Sequence, residues 1–153
     1  MKHFFDTNVL VYRFDASETI KQPIAAELVD RALTDDTFCV STQVMMEFYH
    51  VATRKLRDHL TPAGAVKVIQ SWAEYEPVVF TPTLIADAAA IHQHDRLSWW
   101  DSAIVAAALA AEAQVLYSED LQHGREFGDL RVQNPFRHSV NEPRTVYRKR
   151  SKK

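Results

Sequence analysis

The stretch "FFDTNVLVY", Phe4 to Tyr12, sets one carboxylate, Asp6, inside a run that is otherwise apolar or uncharged. Burying such a group without a partner costs about 2 kcal/mol or more, so this Asp needs a reason to be there. Phe4 and Phe5 read as a short strand that ends at Asp6, and Asn8 to Phe14 reads as a helical stretch. A strand, an acid at its carboxyl end and a helix form the opening of an α/β fold, whose ligand sites gather at strand ends.

Outward from this stretch the same alternation continues. Residues from about Lys21 to Leu33 read as an amphipathic helix that tolerates Pro23 in its first turn, and "TFCVS" reads as a strand. Ser41 or Thr42 caps a helix reaching about Leu56, with Val44, Phe48 and Val51 as its apolar stripe. Thr61-Pro62 opens a helix to about Tyr75, "PVVF" is a strand, and Thr81-Pro82 opens a helix to about His94. Ser98 caps a helix through Ala111, "QVLY" is a strand, and "LRVQNPF" holds a last short strand stopped by Pro135. Strands separated by one or two helices pair in parallel. The expectation is a three-layer α/β/α sandwich with a short, mainly parallel central sheet, one domain over residues 1–136 and a basic tail over 137–153.

Composition narrows the function. The 153 residues include 46% hydrophobic and 25% charged residues but only three glycines, and neither GxGxxG nor GxxxxGK[ST] occurs. Phosphate loops built on glycine are therefore out. Cys39, the single cysteine, excludes an intrachain disulfide, and its place in "FCV" marks a buried reduced thiol, as in a cytoplasmic protein. Asp6 interrupts the N-terminal apolar run, which argues against an export signal. The uncharged stretch "SAIVAAALAA", from Ser102 to Ala111, is half the roughly 20 residues a membrane span needs. The formal charge of −2 divides unevenly: "RTVYRKRSKK" at the end carries six basic residues and no acid, leaving twelve basic against twenty acidic residues elsewhere. Such a tail can serve as an electrostatic arm for nucleic acid or remain a solvated terminus.

Four acids carry the chemistry. Asp6 and Asp120 each follow a strand, the second two residues after "VLYS". Either can also be read as a turn or helix cap. Glu47 projects from the apolar stripe of its helix beside Val44, Phe48 and Val51, as a site residue or as half of a salt bridge with Arg54 or Lys55. Asp101, fourth in "SWWD", can form a capping box with Ser98 while bordering the apolar face through Ile104 and Val105. Four carboxylates converging on one sheet edge repel one another unless a cation holds them. Oxygen ligands without His or Cys select Mg²⁺ or Mn²⁺ over Zn²⁺, and such ions suit phosphoryl transfer.

The stretches "FFDTNVLVY", "STQVMMEFYHVATRKL", "LSWWDSAIVAAALAAEAQVLYSEDLQHG" and "RVQNPF", in this order over residues 3 to 136, resemble a PIN-domain ribonuclease similar to the VapC toxins of bacterial toxin-antitoxin pairs. The resemblance implies Asp6, Glu47, Asp101 and Asp120 as the catalytic, metal-binding acids. Asp6 and Asp101 would be direct ligands, Asp120 a direct or water-mediated one, and Glu47 a second-site ligand or water-orienting group. Thr7, Asn8 and Ser118 would orient them by hydrogen bonds. It further implies Mg²⁺ or Mn²⁺ as cofactor, hydrolysis of structured RNA to 5′-phosphate and 3′-hydroxyl ends, a protein antitoxin, a homodimer and a cytoplasmic, membrane-free setting. The chain continues for 17 residues past "NPF", where family members commonly end.

The remaining polar residues have plainer readings. Arg54, Lys55 and Arg57 suit a helix C-terminus, and they are also candidates for RNA contact. His92 and His94 point to different sides of one helix, which argues against zinc, and His123 in "SEDLQHG" is read as shaping a loop. Trp72, Trp99 and Trp100 are core or interface anchors. A phosphotransferase with an aspartyl nucleophile needs a second acid two residues after the first, where this chain has Asn8. The non-enzymatic alternative is a silent module of the same fold that binds protein; loss of an acid would mark it, and all four are present.

Overall fold

A computed structural model describes residues 1–137; the anticipated basic tail lies, beyond Arg137, outside the described residues. Asp6 ends the first strand, β1 (His3–Phe5), and α1 (Thr7–Arg13) begins at the next residue. There follow α2 (Lys21–Thr34), β2 (Phe38–Cys39), α3 (Thr42–Lys55), α4 (Pro62–Trp72), a 3₁₀ turn at Ala73–Tyr75, α5 (Pro82–Asp95), α6 (Trp99–Ala110) and β3 (Val115–Tyr117). A hairpin, β4 (Glu126–Phe127) and β5 (Leu130–Gln133), closes the described chain. Side-chain caps set the helix starts: Ser41, Thr61, Thr81 and Ser98 each accept a backbone N–H from their own helix. Pro62 and Pro82 fill the first helical positions, where a missing N–H costs nothing.

The five strands lie in the order β2-β1-β3-β5-β4, parallel except for the β4–β5 pair, as the three-layer α/β/α reading requires. β2 lies on one side of β1, and the chain then crosses over to place β3 on the other. Between β1 and β3 the strand order reverses, and at such a switch point the helices diverge and leave a crevice beyond the carboxyl ends. The register decides what meets there. Phe5 is opposite Tyr117, so the next residues on the two strands, Asp6 and Ser118, become neighbours.

Beneath this edge the core is continuous. Phe4, Phe5, Val9, Leu10, Phe48, Leu56, Ile104 and Leu116 have no exposed surface. The Phe48 ring meets Trp72 edge-on at 4.7 Å and Phe14 at 5.7 Å, tying α3 to α4 and to the end of α1. On α6, Ile104, Val105, Ala107 and Ala108 belong to this main core, while Ala103 and Ala106 pack with Leu84 and Ala88 of α5. Alanines let the two helices approach closely. Cys39 is buried, and desolvation pushes its thiol up to about 11, as expected for an unreactive core thiol. Among the described residues no helix is long and apolar enough to cross a membrane.

One sequence expectation is corrected and one strand is added. "PVVF" makes only an isolated parallel bridge, Ser41 with Val78, and Val79 is 62% exposed. Next to a two-residue β2 there is too little edge to extend. The last strand expected in "LRVQNPF" is β5, but its antiparallel partner β4 is not anticipated, because it is two residues long and the turn is Gly128-Asp129; Gly128, at φ +58°, supplies the positive φ of a tight hairpin.

The packing yields a direct stability contrast on α3. Phe48→Ala is expected to cost about 3–5 kcal/mol, whereas Met46→Ser, at a side chain 74% exposed, should stay within about 0.5 kcal/mol. Urea unfolding midpoints at unchanged m-value would check both; equal losses would contradict this packing.

Candidate active site

The three residues "DTN" form a hub. Asp6 has no exposed surface, and Thr7 and Asn8 are 1% and 2% exposed. Asp6 is the N-cap of α1, and its Oδ1 accepts the Thr7 amide at 2.7 Å. Its Oδ2 accepts the Ser118 hydroxyl at 2.9 Å. Ser118 is equally buried, and its Oγ itself accepts the backbone amides of Asp120 at 3.2 Å and Leu121 at 3.3 Å. With its lone pairs so engaged, the hydroxyl proton is directed at Asp6. The cap and site readings of Asp6 therefore describe one and the same carboxylate.

Thr7 and Asn8 each reach another acid. Thr7 Oγ1 donates to Glu47 Oε2 at 2.7 Å, across from α3, and Asn8 Nδ2 donates to Asp120 Oδ2 at 3.1 Å. Glu47's second oxygen accepts Gln43 Nε2 at 3.0 Å, one helical turn back. Of the two cations considered as its partner, Arg54 lies 3.1 Å from His50 Nε2. Burial is graded across the hub, from Asp6 with none of its surface exposed, through half-buried Glu47, to exposed Asp120. Asp6 thus forms the buried floor of the hub and Asp120 its exposed rim.

Asp101 comes from a different helix, α6. Its amide donates to Ser98 Oγ at 3.1 Å, the capping half of its expected role, and its side chain is half-buried in the first turn of α6. Among the described residues no three Asp, Glu, His or Cys side chains are gathered closely enough to hold a metal ion as they stand. Asp6, Glu47 and Asp120 each accept a hydrogen bond from a neutral donor, Ser118, Thr7 and Asn8 in turn.

The other polar residues singled out in the sequence have local partners or are exposed. His123 Nδ1 accepts the Asn134 amide at 3.0 Å and so shapes the loop after β3. His92 Nδ1 lies 2.7 Å from Leu97 O, and His94 is 90% exposed at the side chain. Arg54, Lys55 and Arg57 are exposed, with Arg57 donating to Thr53 O at 3.0 Å. Trp72 is core, and Trp99 and Trp100 are half-buried.

Sequence reasoning missed four residues beside the acids. Gln43 was legible as the i−4 neighbour of Glu47. Glu119, Lys21 and Tyr12 were not, because their meeting depends on how α1 and α2 pack near the loop after β3. Lys21 Nζ lies 3.2 Å from Glu119 Oε1 and 3.1 Å from Oε2, and Tyr12 OH donates to Oε1 at 3.1 Å. Burial, then the charge and hydrogen bond of Glu119, push the Tyr12 phenol far above its ordinary value and keep it a donor.

The donor set fits a hard divalent ion. Asp6, Glu47, Asp101 and Asp120 offer oxygen alone, the preference of Mg²⁺ and Mn²⁺. A second observation agrees: Gln43 Oε1 is buried beside Glu47 with no hydrogen-bond donor among the described residues, and a buried acceptor left so costs about 1–3 kcal/mol. A water in the coordination shell of an ion at these acids would supply that donor.

Comparison with known proteins gives a consistent result. No curated protein matches the chain. Among solved structures, the VapC20 toxin of Mycobacterium tuberculosis, titled a sarcin-ricin loop cleaving toxin, aligns with a TM-score of 0.57 at 20% identity, over 78% of this chain and 90% of that one. At that identity the likeness speaks for the fold. The family match is broader in meaning, for it spans residues 3–125 and takes in all four acids: the chain belongs to the PIN domain family.

Proposed function

We propose that this protein is a divalent-metal-dependent endoribonuclease, the toxin of a toxin-antitoxin pair, which hydrolyses phosphodiester bonds in structured RNA. The observation that carries the reading is the DTN hub, in which three consecutive buried residues hold or orient three acids on one sheet edge. Membership of the PIN family supports it, as its nucleases generally use divalent ions. The likeness to a toxin titled for cleaving the sarcin-ricin loop supports a structured RNA as substrate.

Hydrolysis adds water across the P–O3′ bond. The water oxygen bonds to phosphorus, O3′ leaves with the electron pair and gains a proton, and the products carry a 5′-phosphate and a 3′-hydroxyl. Mg²⁺ or Mn²⁺, when bound, supplies charge neutralisation at the phosphate and the leaving oxygen. Asp6 and Asp101 would hold the ion directly and Asp120 directly or through water. Glu47, anchored at both oxygens, would orient the attacking water or serve a second ion. Thr7, Asn8 and Ser118 keep the carboxylates in place, so little reorganisation is needed during reaction.

Glu47, His50 and Arg54 lie on one ridge of α3, and the seven helical steps from Glu47 to Arg54 rise about 10 Å. With Lys55 and Arg57 this ridge would carry the RNA backbone away from the acids. An antitoxin would silence the enzyme by covering the acidic edge, and a homodimer in the cytoplasm is the expected form. The alternative of a silent, protein-binding module is favoured by one observation, the absence of a preformed three-acid cluster among the described residues; activity with metal separates the two.

Purified, antitoxin-free protein is expected to cleave a stem-loop RNA in Mn²⁺ or Mg²⁺, to stop in EDTA, and to leave ends that a 5′-phosphate-dependent exonuclease accepts. Asp6→Asn and Asp101→Asn should each lower the rate at least about 100-fold, as loss of an electrostatic group in a site does, with unchanged circular dichroism. Cleavage by Asp6→Asn at the wild-type rate would overturn the reading. Arg54→Glu should weaken RNA binding and flatten its salt dependence without altering Mn²⁺ binding; unchanged RNA affinity would remove the α3 ridge from the interface.

A further inference from the structure

Lys21 occupies a position that helix physics disfavours. It is the first residue of α2, where the helix dipole repels a cation, and it is only 4% exposed. The residue before it, Ile20, gives the helix no side-chain cap. A buried ion pair adds little net stability, because desolvation cancels most of the attraction, and an apolar pair of similar volume does as well or better. Stability alone therefore gives no reason for a lysine here.

Its surroundings do. The ammonium group lies over the Tyr12 ring, 4.9 Å from its centroid, and 5.7 Å from that of Phe136. It meets Glu119 Oε1 at 3.2 Å and Oε2 at 3.1 Å, the latter outside hydrogen-bond geometry, so that Oε2 has no hydrogen-bond donor among the described residues. The Glu119 side chain is 8% exposed and stands between Ser118, which donates to Asp6, and Asp120, which accepts from Asn8. The loop after β3 is thus gripped on one side by the hub and on the other by Lys21 and Tyr12. Without Lys21, a nearly buried carboxylate would keep Tyr12 as its one donor, in a segment whose other two residues, Ser118 and Asp120, bond to the hub.

We propose that Lys21 and Tyr12 act through Glu119 as positioning residues for the acidic site, holding the Ser118–Asp120 segment in the geometry that binds the divalent ion. This rests on the metal-dependent reading above. None of the three is assigned contact with the ion or the RNA. The ion pair serves as a staple whose purpose is the placement of its sequence neighbours, and the cost of burying it is borne for that placement.

Mn²⁺ binding to the full chain, followed by titration calorimetry in the absence of RNA at a temperature where each variant is folded by circular dichroism, tests it. Lys21→Met is expected to weaken Mn²⁺ binding about 10-fold or more, the usual consequence of losing a group that orients a ligand. The double variant Lys21→Met/Glu119→Gln should recover most of that affinity, because a neutral amide can stay buried and accept from Tyr12. Tyr12→Phe, which keeps the ring, should weaken binding severalfold and carries the test if Lys21→Met does not fold. Wild-type Mn²⁺ affinity in the folded single variants would reduce the pair to a structural contact and overturn the inference. Equal weakening in Lys21→Met and the double variant would overturn action through Glu119. Absence of Mn²⁺ and Mg²⁺ binding by the wild-type chain would overturn the metal-dependent reading itself, whereas wild-type binding with unaffected variants overturns only the positioning role.

Discussion

The hydrogen bond from Ser118 to Asp6 joins two fully buried polar groups across the switch point of the sheet, and the arrangement of the site follows from it. It forms because β1 and β3 pair with Phe5 opposite Tyr117. A slip of one residue would exchange the faces of every side chain on a strand, separate Asp6 from Ser118 and leave a carboxylate in the core without its second donor. Register in so short a sheet, apolar on both faces through the adjacent Phe4 and Phe5, is therefore specified by the pairing of two polar residues at the strand ends. Fold specificity and site geometry rest on the same contact.

From that contact the rest of the site is built by sequence adjacency. Thr7 and Asn8 follow Asp6 into the first turn of α1 and reach Glu47 and Asp120; Glu119 and Asp120 follow Ser118 and are held from opposite sides. Neutral donors dominate these described contacts, which rise from a buried floor at Asp6 to the exposed Asp120. Such a floor is suited to a cation that arrives with its own water, since the protein need only present oxygen at fixed positions. Burial of Asp6 and exposure of Asp120 mark the direction of approach.

Much of this was legible in the sequence, for reasons specific to particular residues. Strand, acid and helix in "FFDTNVLVY" give the first unit, and Ser41, Thr61, Thr81 and Ser98 mark helix starts because a hydroxyl followed by helix formers has few other uses. The four acids stood out by their apolar neighbours. What could not be read was anything decided by two elements meeting in space: that Glu47 pairs with Thr7, or that Lys21 is buried against Glu119. Two-residue strands also escape pattern reading, since period-2 alternation needs more residues to show itself; "PVVF" looked more like a strand than β4 did, yet only β4 pairs fully.

The most direct measurement is anomalous diffraction from crystals of the full chain soaked in MnCl₂. One or two Mn²⁺ peaks are expected within coordination distance of the Asp6 carboxylate, with Asp101 and Asp120 as further oxygen neighbours and with Gln43 Oε1 facing a coordinated water or one bonded to Glu47. Mn²⁺ bound elsewhere, or Asp6 still enclosed by Thr7 and Ser118 with no metal near it at millimolar Mn²⁺, would contradict a metal-dependent site built on this carboxylate.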